Sequence, residues 1–203
     1  NTVGGLCRSK QVNGFVFDYD GHLLYFRFSY TLELVQKLLK GNLVRHERSA
    51  WINNFGIFSR YPFQANLYAL PKPIANECLW GFIQATDSRA NSSQENFLKW
   101  IHTTFGKGIA KHFMIPYNKK FWTVPLGRMS CPWTDKFIPQ FGLSEVVNGF
   151  FESSSNRLGY NAFFWYPKKG GIIQLPTALE EQIGEVSKNC CVSEIDLKKK
   201  EIT

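Results

Sequence analysis

Val3-Gly4-Gly5-Leu6-Cys7-Arg8-Ser9, followed by Gly14-Phe15-Val16-Phe17-Asp18-Tyr19-Asp20-Gly21-His22, is the stretch from which the rest of the chain is placed. Glycine lets backbone approach a phosphate closely, and successive amides form an anion nest. Arg8, three residues after Gly5, supplies a guanidinium able to pair with an anionic oxygen. Alone, a Gly pair ahead of a strand is an ordinary turn. The second half adds to it. Residues 14–19 alternate as a short strand, and Asp20-Gly21-His22 is a turn signal. A strand that returns this turn beside the first loop sets two tight backbone segments around one ligand. On its own, His22 reads as a capping or core histidine.

Outward from this stretch, Leu32, Val35, Leu38 and Leu39 share one face of a helix over residues 31–40, stopped by Gly41. Residues 43–51 and 55–61 flank Asn53-Asn54, a dipeptide that tolerates positive φ, and predict a β-hairpin. A short helix is expected over 74–85 and a polar loop over 87–93. The clearest helical pattern spans 94–114, where Phe97, Trp100, Ile101, Phe105, Ile109 and Phe113 recur at spacings of three and four. Gly106 and Gly108 mark a bend or break in it. Residues 116–139 are rich in Pro and aromatics with little period. An aromatic strand over 161–167, a helix opened by Pro176 and running to about 183, and a final strand over 191–196 complete the order.

Composition narrows the function classes. The chain has 203 residues, is 44% hydrophobic and 20% charged, and can bury a sizeable core. Its formal net charge is +8, but the cations are spread along the chain. The one run, Lys198-Lys199-Lys200, reads as a solvated turn. No basic helix or nucleic-acid module appears, so a phosphate-bearing small ligand fits better than a polymer. Cys7, Cys78, Cys131, Cys190 and Cys191 form no CxxC pair and no metal spacing with His. They are expected to be reduced thiols of a cytoplasmic protein, with no metal site. No signal peptide and no long apolar span occurs. Ser9, Ser29 and Ser130 lack a nucleophile elbow, and no carboxylate pair suits glycoside hydrolysis.

Tyr61, Gln64, Asn66, Tyr117, Asn118, Lys120 and Trp122 admit two readings. Aromatic rings, amides and a cation are what a pocket for a sugar nucleotide needs. Pro-rich aromatic loops also simply pack on neighbouring structure.

From Gly4 to His22 the chain resembles the second nucleotide-contacting region of the flavin amine-oxidase superfamily, in its protoporphyrinogen oxidase and UDP-galactopyranose mutase-like branch. The pattern there is Gly-Gly-x-x-Arg, a strand with Phe-x-Asp, and a Gly-Gly-His or Gly-Pro-His turn. This chain has Asp20 where Gly or Pro is usual. The stretches Arg60-Tyr61-Pro62-Phe63-Gln64-Ala65-Asn66-Leu67 and Pro116-Tyr117-Asn118-Lys119-Lys120-Phe121-Trp122 are similar to mutase-like motifs, the latter to a stretch that borders the substrate pocket. Tyr166-Pro167 with Gly170-Gly171, Leu175 and Leu179 resembles the re-entry into the FAD domain. Asn189, Val192 and Ile195 resemble the strand whose backbone receives the adenine.

The resemblance implies an α/β fold: an incomplete Rossmann-like FAD-binding domain, from residues 1–42 and 165–203, with a large inserted α+β substrate domain over 43–164. It implies FAD as cofactor, bound through Gly4, Gly5, Arg8, Gly21, His22 and Val192. It assigns no catalytic residue, and the lack of a classical nucleophile does not count against an enzyme, because the flavin would supply the hard chemistry. No Gly-x-Gly-x-x-Gly unit is present. The chain is therefore expected to be an internal fragment, truncated at both ends and a poor binder of FAD. The implied function is that of an FAD-dependent oxidoreductase. The alternatives are a mutase-like flavoenzyme acting on a nucleotide sugar and a non-enzymatic glycan-binding module of polysaccharide assembly. The expected partner is a small-molecule substrate, a nucleotide sugar or another anionic metabolite, with no nucleic acid and no integral membrane segment.

Overall fold

A computed structural model describes residues 2–54, 56–88, 95–153 and 162–203. The polar loop expected over 87–93 and the starts expected at Gln94 and Asn161 lie largely outside the described residues. The chain divides into two compact units, Asn1–Glu47 with Phe163–Thr203, and Arg48–Ala162.

The first unit opens on a hairpin of β1 (Ser9–Val12) and β2 (Phe15–Asp18), joined by Asn13-Gly14. Both turn residues have positive φ, 48° and 82°, which matches the twist of the paired strands. The sequence reading placed only the second strand. α1 (Ser29–Leu39) ends at Lys40 in the left-handed region, with Gly41 following. β3 (Val44–Glu47) pairs antiparallel with β6 (Phe163–Tyr166), and Leu24 bridges to Trp165 on the latter. α7 (Gln174–Ile183) packs on α1. Val35, Leu39, Leu43 and Ala178 form the core of this unit, with Leu24, Leu32, Trp165 and Leu175 around them. The expected strand over 191–196 shortens to β7 (Ile195–Asp196), paired with β8 (Glu201–Ile202) across the lysine turn. Two amides on that turn, Lys198 N–H and Lys199 N–H, donate to Asp196, which fixes it as a turn.

The second unit holds a hairpin and a helical bundle. The hairpin is β4 (Trp51–Asn54) with β5 (Ile57–Arg60). Asn53 and Asn54 are strand residues rather than the expected turn, and residues 44–47 pair with β6 instead of joining this hairpin. α2 (Lys72–Ser88) lies against α3 (Phe97–Ile109). The expected periodicity of α3 holds: Phe97, Trp100, Ile101, Phe105 and Ile109 are fully buried, each contributing about 1.5–3 kcal/mol. The helix starts on Asn96, whose side chain accepts from Lys99 N–H. Gly106, at φ 74°, breaks the regular helix, as its sequence predicts.

The contact behind that break was not legible in sequence. A Cβ on Gly106 would stand 1.9 Å from Gly81 O, and one on Gly108 2.2 Å from Glu77 O. These two glycines let α3 touch the backbone of α2. A π-helical segment (Ala110–Met114) follows and runs into α4 (Ile115–Trp122). Pro116 has no N–H for the His112 carbonyl, and Asn54 Nδ2 donates to that carbonyl at 2.8 Å instead. Glu77 of α2 meets Lys111 Nζ at 2.9 Å and His112 Nε2 at 2.7 Å, tying the segment to its neighbour. α5 (Thr134–Phe137) and α6 (Leu143–Phe151) complete the unit. The region 116–139, read as aperiodic, is thus largely helical at its start, and α6 was not anticipated. All strand pairs among the described residues are antiparallel.

Candidate functional site

The Gly4–Arg8 loop is held from both ends. Cys7 N–H donates to Gly4 O at 2.7 Å, closing the turn. Gly4 has φ 99°, and a Cβ there would lie 2.7 Å from Cys7 O and 3.0 Å from Pro176 Cγ. Only glycine fits between the turn and the first turn of α7. Gly5, at φ 55°, has nothing within 4 Å of its Cβ position. The consecutive N–H groups of Gly5 and Leu6 donate to nothing among the described residues. Two free neighbouring amides on an open glycine turn have the chemistry of an anion nest. Arg8 Nε donates to Gly5 O at 2.5 Å, and its guanidinium lies 5.2 Å from the Tyr19 ring centre. The arginine is therefore folded over its own loop, with the Nη groups left as donors.

Asp18, part of the strand motif but not among the expected site residues, anchors the loop. Ser9 and Asp18 face each other across the hairpin, and Ser9 Oγ donates to Asp18 Oδ1 at 2.6 Å. Tyr166 OH donates to Asp18 Oδ2, and Ile172 N–H donates to Oδ1 at 3.2 Å. Ile173 N–H donates to Ser9 Oγ at 3.2 Å. The Asp18–Ser9 pair thus ties β1, β2, β6 and the approach to α7 together, immediately behind Arg8. Burial pushes the Asp18 carboxyl up, and the three hydrogen bonds outweigh it, so its pKa lies below the usual 3.8. Burial first, then Asp18, pushes Tyr166 up to about 12.

The second expected segment is arranged differently from the expectation. Gly21 N–H donates to Asp20 Oδ1 at 2.7 Å, and His22 N–H and Nδ1 both lie 2.9 Å from Asp20 O. Asp20, which stands where the resemblance has Gly or Pro, occupies the amides of this turn. Val192 is 56% exposed, lies outside β7, and shares no hydrogen bond with the Gly4–Arg8 loop among the described residues.

In the second unit the expected pocket residues separate into two groups. Three amides are turned inward: Gln64 Nε2 donates to Pro139 O at 2.7 Å, Asn66 Nδ2 to Pro62 O at 3.0 Å, and Asn118 Nδ2 to Met114 O at 2.7 Å. Asn118 also accepts from Trp122 Nε1 at 3.1 Å, which sets the indole. The rings of Phe63, Phe113, Tyr117 and Phe121 stack in sequence at 4.7, 5.3 and 5.9 Å, running from the core to the surface. Tyr117, Lys120 and Trp122 remain exposed on that surface. Tyr61 lies half-buried under the Arg48 guanidinium, 5.2 Å from its ring centre. Among the described residues no group of three or more His, Cys, Asp or Glu could hold a metal ion.

No protein-family model matches the chain. The fold is similar to a solved structure of reduced UDP-galactopyranose mutase, with a TM-score of 0.81 and 30% sequence identity over 89% of this chain. The chain spans 38% of the length of that structure, so what the two share is a part of the mutase.

Proposed function

We propose that this chain is part of an FAD-dependent enzyme of mutase-like type that acts on a nucleotide sugar. The observation that carries the reading is the pair of unengaged amides at Gly5 and Leu6, beside Arg8, on a turn that Gly4 alone can close. That geometry suits one end of a pyrophosphate. The similarity to the mutase structure supports the nucleotide sugar over the broader oxidoreductase reading, which rests on the sequence resemblance alone.

In this reading Gly5 and Leu6 N–H bind pyrophosphate oxygens and Arg8 Nη groups add charge. Asp18 holds the loop in shape, and Gly21, His22 and Val192 lie along the remainder of the FAD site. A bound flavin supplies electron chemistry that no side chain here provides. On the other unit, the exposed Tyr117 and Trp122 rings offer a platform for a sugar or uracil, and Lys120 a cation for its diphosphate. Asn118 keeps the indole in place.

Titration with FAD of the protein that carries this segment with the rest of a flavin site, followed by amide resonances, tests the cofactor reading. Shifts centred on Gly5, Leu6 and Arg8, lost in Gly5→Val, are expected. Shifts absent at saturating FAD would sink it. Conversion of UDP-galactopyranose under reducing conditions, assayed in the protein that carries this segment with the rest of a flavin site, separates the mutase reading from oxidation of a C–N or C–C bond.

A further inference from the structure

Residue 112 is held twice, from two different elements, at the wide π-helical turn ahead of α4. His112 Nε2 lies 2.7 Å from Glu77 Oε2, and the His112 carbonyl accepts from Asn54 Nδ2 at 2.8 Å. Lys111 Nζ donates to both oxygens of the same Glu77 carboxylate, at 2.9 and 3.1 Å. The His112 hydrogen bond first, then that of Lys111, holds the Glu77 carboxyl below its usual 4.5, so it is an anion at neutral pH. α2 and β4 therefore grip the π-helical segment Ala110–Met114 at its middle. Such segments are rare, and they recur at functional sites.

The segment decides what α4 shows to solvent. Counted from buried Ile109 at about 3.6 residues per turn, an unbroken α-helix would bring positions 113, 116 and 120 round to the core. The buried positions are instead Phe113, Met114 and Asn118. The wider turns of the π-helix carry the inward stripe past Pro116 to Asn118 and leave Lys120 in water. In the unbroken register the Lys120 ammonium would take its charge into the core, which is costly. Asn118, once inside, accepts from Trp122 Nε1 at 3.1 Å, while Tyr117 and Lys120 stay exposed. We infer that Glu77, with Asn54, is a positioning residue for the aromatic platform of α4, fixing the turn that faces Asn118 inward and Tyr117, Lys120 and Trp122 outward. Its consequence for binding rests on the nucleotide-sugar reading above, whereas the placement of α4 does not.

Fluorine resonances of the chain labelled with fluorotryptophan read the placement of α4 without any ligand. The Trp122 signal is assigned by its loss in Trp122→Phe. Glu77→Ala and Asn54→Ala should each move and broaden it. Glu77→Gln, which keeps one acceptor oxygen, should fall between Glu77→Ala and the wild type. Glu180→Ala, which removes the 2.6 Å pair with Lys188 in the first unit, should leave it in place. Calorimetric titration with UDP, in the protein that carries this segment with the rest of a flavin site, reads the consequence. Glu77→Ala should weaken UDP about fivefold, at an unchanged urea midpoint. A Trp122 signal that stays at its wild-type position in Glu77→Ala overturns the inference. So does a UDP affinity equal to that of a wild type that binds. Equal movement of all six tryptophan signals would mark general loosening and overturns it too. A moved Trp122 signal in a protein whose wild type binds no UDP supports the positioning of α4 and overturns the nucleotide-sugar reading instead.

Discussion

Gly4 and Gly5 are adjacent and both have positive φ, yet they meet opposite demands. Gly4 is enclosed by Cys7 O and Pro176, whereas Gly5 faces open space. Gly4→Ala should therefore cost about 2–3 kcal/mol, from left-handed strain and overlap together. Gly5→Ala, at a φ that side chains tolerate poorly but without overlap, should cost about 1 kcal/mol. Hydrogen exchange at the β1 and β2 amides reads both, and equal costs would contradict the assigned geometry. Asp18 and Tyr166 give a second prediction. A depressed carboxyl pKa contributes stability that is complete above 3.8 and is lost as pH falls through the lower folded value. A raised phenol pKa contributes stability that is complete below 10 and is lost as pH rises through about 12. Exchange protection in the hairpin should fall at both extremes. Tyr166→Phe should lose the alkaline limb, and Asp18→Asn the acid limb together with about 1–3 kcal/mol from weakened charged hydrogen bonds. The anchoring pair was within reach of the sequence. Asn13-Gly14 is a strong two-residue hairpin signal, and folding the chain about it sets Ser9 opposite Asp18. The third partner, Tyr166, is 148 residues from Asp18, and no local pattern reports that contact.

At the scale of elements, sequence periodicity located what is buried and missed what is bonded across. The α3 stripe was legible because each large side chain marks the buried face. The helical continuation through Pro116 was not, because proline reads as a break. It persists here because Asn54, on another element, serves the carbonyl that Pro116 cannot. Asn54→Ala should remove that hydrogen bond and cost about 1 kcal/mol. Asn53→Ala, on the exposed face of the same strand, should be near neutral. Urea denaturation monitored by far-ultraviolet circular dichroism would distinguish them, and similar losses would refute the role assigned to Asn54. The α2–α3 crossing makes a harsher demand. In Gly108→Ala the new methyl would meet the Glu77 backbone, which has no rotamer to move, so a loss above about 3 kcal/mol is expected. Its sequence signature, a Gly in a helical pattern, suggested a local bend. The neighbour that requires it is more than 20 residues earlier in the chain.

For the molecule as a whole, the order of motifs along the sequence pointed to a flavoenzyme part interrupted by a long insertion. The similarity to the mutase structure spans the same breadth, 89% of this chain. The sequence could not show that Asp20 fills the amides of its own turn, or that three of the pocket amides serve the core. Residue type fixes what a side chain can bond, and only tertiary placement fixes what it does bond. The five thiols put that distinction to a direct test. None is in a disulfide, and as a sequence they are equivalent. In the fold, Cys190 and Cys191 are exposed, Cys7 is half-buried, and Cys78 and Cys131 are buried. Burial pushes the Cys78 thiol up to about 12, so almost none of it is the reactive thiolate at neutral pH. A native-state reaction with a disulfide reagent should therefore show two fast thiols, at Cys190 and Cys191. Cys7 should react more slowly, and Cys78 and Cys131 only after denaturation. Mass mapping of the modified peptides assigns each phase. Early labelling of Cys78 would mean that the α2–α3 crossing opens in the native protein, which the backbone contacts at Gly106 and Gly108 exclude in the closed fold.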